Sequence, residues 1–354
     1  MTLLETVANS IPPADAGARA RAHARLEQLS MPHWALGRLM DLAEDLAGIA
    51  GSAPPPVARK TIVTMAADHG VAARGVSRYP QEVTVQMVRN FVRGGAGINA
   101  LARLAGAEVV VVDLGVAGDL SDLADAGRIL SRRIAAGTRD MTAGPAMTRE
   151  QARAALEAGI AVARELGPTT DVFGTGEMGI GNTAASSAIV ALYSGRPVAD
   201  VTGRGTGIDD AGLRRKIALI EQALAVNTPD PADPVGVLAA VGGFEIGGIA
   251  GLILGAAAQR KPVLVDGFIS TAGAILAARI APRSLDAMIA SHRSLEPGHR
   301  IALDCLGKRP LLDLDLRLGE GTGAALAMHL VEAAVRVLTD VATFEEANVS
   351  KADS

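Results

Sequence analysis

The chain has 354 residues, room for a large core and about two domains on the usual size prior. Apolar residues make up 49% but aromatics only 2%, so the core must be aliphatic. A net charge of −4 argues against a nucleic-acid surface, and the single cysteine, Cys305, excludes an internal disulfide and a cysteine-rich metal site, which favours a reducing, cytoplasmic setting.

No basic-then-apolar leader opens the sequence, so a signal peptide is not expected. Residues 16–49 carry charged residues interleaved with Ala and Leu at helical spacing, broken at Met31-Pro32. The proline-rich stretch 51–56 reads as a linker. Four short apolar runs then each end in an Asp or Gly and lead into a helical segment. Residues 61–67 end in Asp68-His69-Gly70, 108–112 in Asp113, 171–173 in the Gly174 loop, and 262–265 in Asp266-Gly267. Apolar strands alternating with helices predict an α/β fold, a mostly parallel sheet with helices on both faces. In such sheets ligands bind beyond the carboxyl ends of the strands. The apolar run 246–258 holds several glycines and is too short to span a bilayer. Leucines at 312, 314, 316 and 318 alternate with polar residues, which is strand-like; 324–338 predicts a helix, and everything after Phe344 is polar and expected to fray.

Forty glycines, well above the usual roughly 7%, fall between apolar runs and suggest ligand loops. Three loops stand out. Gly319-Glu320-Gly321-Thr322-Gly323 places one carboxylate among glycines at a helix start, where it can be desolvated and aimed as a general base. The bland alternative is an acidic residue favoured by the helix dipole. Gly174-x-Gly176-Glu177-x-Gly179 matches the dinucleotide fingerprint, with Asp200 about 20 residues on. Against a nicotinamide dinucleotide, Glu177 would sit inside the pyrophosphate turn, and the loop continues to Gly181, Asn182 and Thr183. Those last two are good N-cap residues for a helix that could bind one phosphate. Gly203, Gly205 and Gly207 alternate, leaving backbone amides open to an anion, with Lys216 following. The loop lacks the lysine-Ser/Thr ending of a nucleoside-triphosphatase, so a monophosphate fits better; a plain flexible turn is as good an account of this loop alone.

No histidine pair has zinc-ligand spacing with a third partner nearby, and His69 most simply hydrogen-bonds at a strand end. No metal or redox cofactor is expected. Phosphate loops, an aspartate for ribose hydroxyls at Asp266 and two sheltered carboxylates together suit transfer at the anomeric carbon of a phosphorylated sugar, through an oxocarbenium-like transition state.

The chain resembles the nicotinate-nucleotide–dimethylbenzimidazole phosphoribosyltransferase family from about Leu26 to Val341. Matching segments include 67–71, 80–84, 144–147, 173–179 with Asn182-Thr183, 241–245, 266–270, Ser291-His292 and 317–325. The resemblance implies that nicotinate mononucleotide donates its 5-phosphoribosyl group to 5,6-dimethylbenzimidazole with inversion. It implies Glu320 as general base and Glu177 in support. Gly179, Gly181, Asn182, Thr183, Gly203, Gly205 and Lys216 would serve the phosphate, and Asp266, Gly267 and Ser291 the ribose or nicotinate. We expect Tyr79, Gln86, Met87 and Leu318 on the acceptor side. The family's Lys-Pro-Pro-Gly-Ser segment is replaced here by Met31-Pro32-His33-Trp34-Ala35. The resemblance also implies a homodimer and a Rossmann-like sheet with a small helical domain from both chain ends. Residues 1–56 would begin that domain, 57–310 form the large phosphoribosyl-binding domain, 311–345 carry the glutamate loop and last helix, and 346–354 a disordered tail. A non-catalytic nucleotide-binding homologue is the remaining alternative; a pure binder has no use for two placed carboxylates.

Overall fold

Short Val-, Ile- and Ala-rich runs separated by helices leave the strands no neighbours but each other, and they pair in parallel. In the computed structural model, which describes residues 1–350, the strands are β1 (Lys60–Ala67), β2 (Ala107–Gly115), β3 (Leu130–Ser131), β4 (Val172–Met178), β5 (Val263–Val265) and β6 (Met288–Ala290). They form one sheet in the order β3-β2-β1-β4-β5-β6, every pairing parallel. The chain runs outward from β1 to β3, then returns beside β1 as β4. That reversal opens a crevice between the carboxyl ends of β1 and β4, where α/β sheets bind ligands. A separate two-stranded pair, β7 (His292–Arg293) with β8 (Leu312–Asp313), lies next to the last strand of the sheet in sequence.

Alternate side chains of the strands face opposite layers of helix. Met65 and Leu114 meet Gly248 of the helix Phe244–Ala258, while Ile62 packs on the other face with Gly174, Ala324 and Met328. The helix Phe244–Ala258 lies so close to Arg149–Leu166 that a Cβ at Gly251 would overlap the carbonyl of Leu156. The glycines of this apolar run therefore serve helix packing and not a ligand loop. The last helix, Thr322–Asp340, is long and apolar enough by composition to cross a membrane, yet it packs as a core helix against Arg38–Ala50, Gly97–Ala105 and the sheet.

Residues 25–30 meet residues 338–346. The helices Leu3–Ser10, Ala16–Leu26 and Arg38–Ala50 come first; Leu29 bridges Thr343, and the Ser30 amide donates to the Ala342 carbonyl at 2.9 Å. Arg25 pairs with Glu346 at 3.0 Å, which ties down the start of the expected tail; residues 351–354 lie outside the described residues.

Two expectations need correction. The strand expected over 312–318 stops at Asp313, because Leu314 and Leu318 face solvent and no sheet face buries the alternation. Gly174 and Gly176 lie inside β4, not in a turn after it. A Cβ at Gly176 would overlap the Glu320 carbonyl, so these glycines admit a neighbouring loop. The dinucleotide fingerprint requires a strand–turn–helix at this point, and the helix Asn182–Ser194 begins only after Gly181. The nicotinamide alternative fails on that geometry.

Candidate active site

Glu320 sits on a turn of three left-handed residues, Gly319 (φ 84°), Glu320 (φ 63°) and Gly321 (φ 100°). A left-handed conformation costs a glutamate roughly 1–2 kcal/mol, so its surroundings must hold it there. Thr64 Oγ1 of β1 donates to the Glu320 carbonyl at 3.2 Å. The Glu320 amide donates to the carboxylate of Glu177 at the end of β4. The Glu320 side chain in turn accepts from the Ile98 amide at 3.0 Å, at the start of the helix Gly97–Ala105. Glu320 is 6% exposed. Burial raises its pKa above the ordinary carboxylate range and Asp266 adds to this, against the Ile98 bond.

Glu177 accepts from Asn182 Nδ2 at 2.5 Å. Burial pushes its pKa up to about 8, with the nearby Asp266 and Glu245 carboxylates adding. Burial thus favours the protonated form of Glu177 at neutral pH, and it raises Glu320 as well. Two carboxyls whose surroundings set their pKa values apart are a recurring acid–base arrangement. Asn182, expected as an N-cap, is instead the first helical residue after Gly181, and its amide serves Glu177.

Thr183, Gly203, Gly205 and Lys216 come together. Lys216 is fully buried, and its Nζ donates to Thr183 Oγ1 at 2.7 Å and to the Gly203 carbonyl at 3.2 Å. Burial lowers its pKa to about 8. Among the described residues no carboxylate bonds to this ammonium; Glu296 acts on it only at longer range and keeps one buried oxygen without a partner among them. A buried cation without a bonded anion favours an anionic ligand. Gly179 and Gly181 line the same loop, packed against Ala67, Ala72 and His69.

Asp266 and Ser291 are placed differently from the expectation that they face ribose or nicotinate. Asp266 is 1% exposed, and both its oxygens accept loop amides: Gly321 at 3.2 Å, Gly323 at 2.8 Å and Ala324 at 3.0 Å. Ser291 Oγ, fully buried, donates to the Val265 carbonyl at 2.7 Å. Gly267 caps the helix Phe268–Ile280 beside the His292 ring. On the acceptor side, Tyr79 and Leu318 are exposed, Gln86 is exposed and Met87 half-buried on the helix Val83–Arg93. Leu318 reaches Gly97, next to Ile98 and so to Glu320. The turn before Tyr79 is tied to the anion loop by Arg78, whose amide donates to Thr206 Oγ1 at 3.0 Å.

Four contributors escaped sequence reading: Thr64, Ile98, Glu245 and His292. Thr64 and Ile98 act in ordinary strand and helix positions that carry no signal. His69 pairs with Glu245 at 2.6 Å, both buried beneath the Gly179 loop, where burial works against a charged imidazole and the Glu245 carboxylate raises its pKa. His292 Nδ1 lies 3.7 Å from Asp266. Among the described residues, no group of three or more His, Cys, Asp or Glu side chains is placed to hold a metal ion.

Comparison with known proteins fits this geometry. A family model described as Phosphoribosyltransferase matches residues 11–349. A nicotinate-nucleotide–dimethylbenzimidazole phosphoribosyltransferase of Syntrophotalea carbinolica is 63% identical over 99% of both chains, and one of Geobacter metallireducens is 57% identical over 99% of both. The crystal structure of the enzyme so named from Thermus thermophilus superposes with a TM-score of 0.89 at 47% identity, covering 96% of this chain and 100% of that one. Residue pattern, sheet order and whole-length similarity agree: the chain belongs to the nicotinate-nucleotide–dimethylbenzimidazole phosphoribosyltransferase family.

Proposed function

We propose that this enzyme transfers the 5-phosphoribosyl group of nicotinate mononucleotide to 5,6-dimethylbenzimidazole or a related base, with inversion at the anomeric carbon. The observation that carries this is the buried Glu320 carboxylate, clamped in a left-handed turn at the crevice of the sheet beside the buried Glu177. The bond from C1′ to the pyridinium nitrogen breaks, and its electron pair neutralises the departing nicotinate ring. A ring nitrogen of the acceptor bonds to C1′ from the opposite face. The acceptor's N–H proton passes to Glu320, so no charge is left on the new base. Negative carboxylate at this point also steadies the cationic sugar.

The 5′-phosphate belongs at Lys216, with the Thr183 hydroxyl and the amides of the Gly203–Gly207 loop. Tyr79, Gln86, Met87 and Leu318 supply the acceptor side. Action as a cytoplasmic homodimer, which the resemblance implies, is part of the same proposal. The test is a product assay with Glu320→Gln in parallel. Loss of a general base lowers kcat about 100- to 10,000-fold. Wild-type activity should fall on acidification through a pKa above the ordinary carboxylate value of about 4.3, since the base must be ionised. Unchanged turnover in the variant would remove Glu320 from the mechanism. Tyr79→Ala should raise the acceptor KM far more than the donor KM; equal effects would take Tyr79 out of the acceptor side.

A further inference from the structure

We infer that Asp266 is a positioning residue, capping the helix Thr322–Asp340 from another part of the chain and so locking Glu320 in its left-handed turn. The inference rests on the proposal that Glu320 is the base.

A helix start leaves its first amides without partners. Here the residue at the cap position is Gly321, which offers no side chain, and Thr322 Oγ1 turns back to the Gly319 carbonyl at 2.8 Å. Asp266, leaving the end of β5, fills the gap from 55 residues away. Its Oδ1 accepts the Gly323 and Ala324 amides and its Oδ2 the Gly321 amide. Asp266 is itself fixed, because its own amide donates to Thr175 Oγ1 of β4 at 3.0 Å. The carboxylate therefore couples β4 and β5 to the turn carrying the base. Gly323 must be glycine, since a Cβ there would overlap the His292 imidazole, whose Nδ1 lies 3.7 Å from Asp266.

With both oxygens used by backbone and 1% exposure, the carboxylate does not face a sugar hydroxyl. Thr64 and Glu177 hold only the Glu320 carbonyl and amide; Asp266 takes the Gly321, Gly323 and Ala324 amides that follow. Without it, Gly319 and Gly321 would let the turn relax, and the glutamate would leave the reacting atoms.

Asp266→Asn tests this with little change of shape. Its amide oxygen can still serve Gly323 and Ala324, but its NH2 group would face the Gly321 N–H, donor against donor. Steady-state kinetics and hydrogen exchange of the amides at 321–324 should be measured on wild type, Asp266→Asn and Asp266→Ala. A misplaced base costs about 100-fold in kcat, with the nicotinate mononucleotide KM within about threefold and faster exchange confined to the 321–324 amides. Three results would overturn the inference: kcat near wild type in both variants, a raised donor KM at unchanged kcat (a ribose contact), or undiminished amide protection. A wild type that transfers nothing would sink the phosphoribosyl proposal instead, and the exchange measurement alone would then support or overturn the clamp.

Discussion

At the scale of the residue, this site is organised by where protons sit. Glu177 keeps a folded pKa of about 8, above the unfolded carboxylate value of 4.5. Between those two pH values the unfolded chain has released a proton that the folded protein retains. The stability associated with this group is whole below that window and is lost as pH rises through it. Glu177→Gln removes the titration, so its melting temperature relative to wild type should climb from about pH 5 to about pH 8. A constant difference across that range would mean that Glu177 is ionised in the folded protein. Glu320 and Glu177 were legible in the sequence because glycines flank them. Their unequal acidity was not, since it arises first from how the fold buries each carboxyl and then from Asp266, with Glu245 acting on Glu177, neighbours that reach the pair only through the fold. Asp266 was legible as a strand-end residue, but its role was not. A sequence shows that an aspartate follows β5 and not that a helix start 55 residues later needs capping.

At the scale of the element, glycine has two uses here, and the sequence separates them poorly. The Gly319–Gly321 turn is glycine-rich for its backbone angles. The helix Phe244–Ala258 is glycine-rich because it rests on the backbone of Arg149–Leu166. Gly251→Ala would drive a methyl into the Leu156 carbonyl and should cost about 1–3 kcal/mol, read as a lower urea midpoint at unchanged slope. A variant as stable as wild type would show that the two helices separate freely. The same ambiguity explains the dinucleotide fingerprint: glycine spacing is visible, but whether Gly174 and Gly176 lie in a turn or within a strand depends on the Glu320 loop packing over them. The last helix was readable from periodicity, and β1, β2, β4 and β5 as apolar runs ending in an Asp or Gly. β3 and β6 were not, since each is short and neither is followed by an Asp or Gly.

For the whole molecule, alternating strands and helices announced a parallel sheet, but not the order β3-β2-β1-β4-β5-β6 that puts Asp68, Glu177 and the Glu320 loop at one crevice. Order is decided by which crossovers pack, and no local pattern encodes it. The Leu29–Thr343 bridge closes a loop of roughly 300 residues without a covalent bond, and that loop contains the entire sheet. Closing so long a loop covalently would remove on the order of 5 kcal/mol of freedom from the unfolded chain. With cysteines at positions 29 and 343, the oxidised protein should melt well above its own reduced form; equal melting would mean that this junction opens before the rest unfolds. Between residues 29 and 343 the folded chain is thus nearly a closed ring.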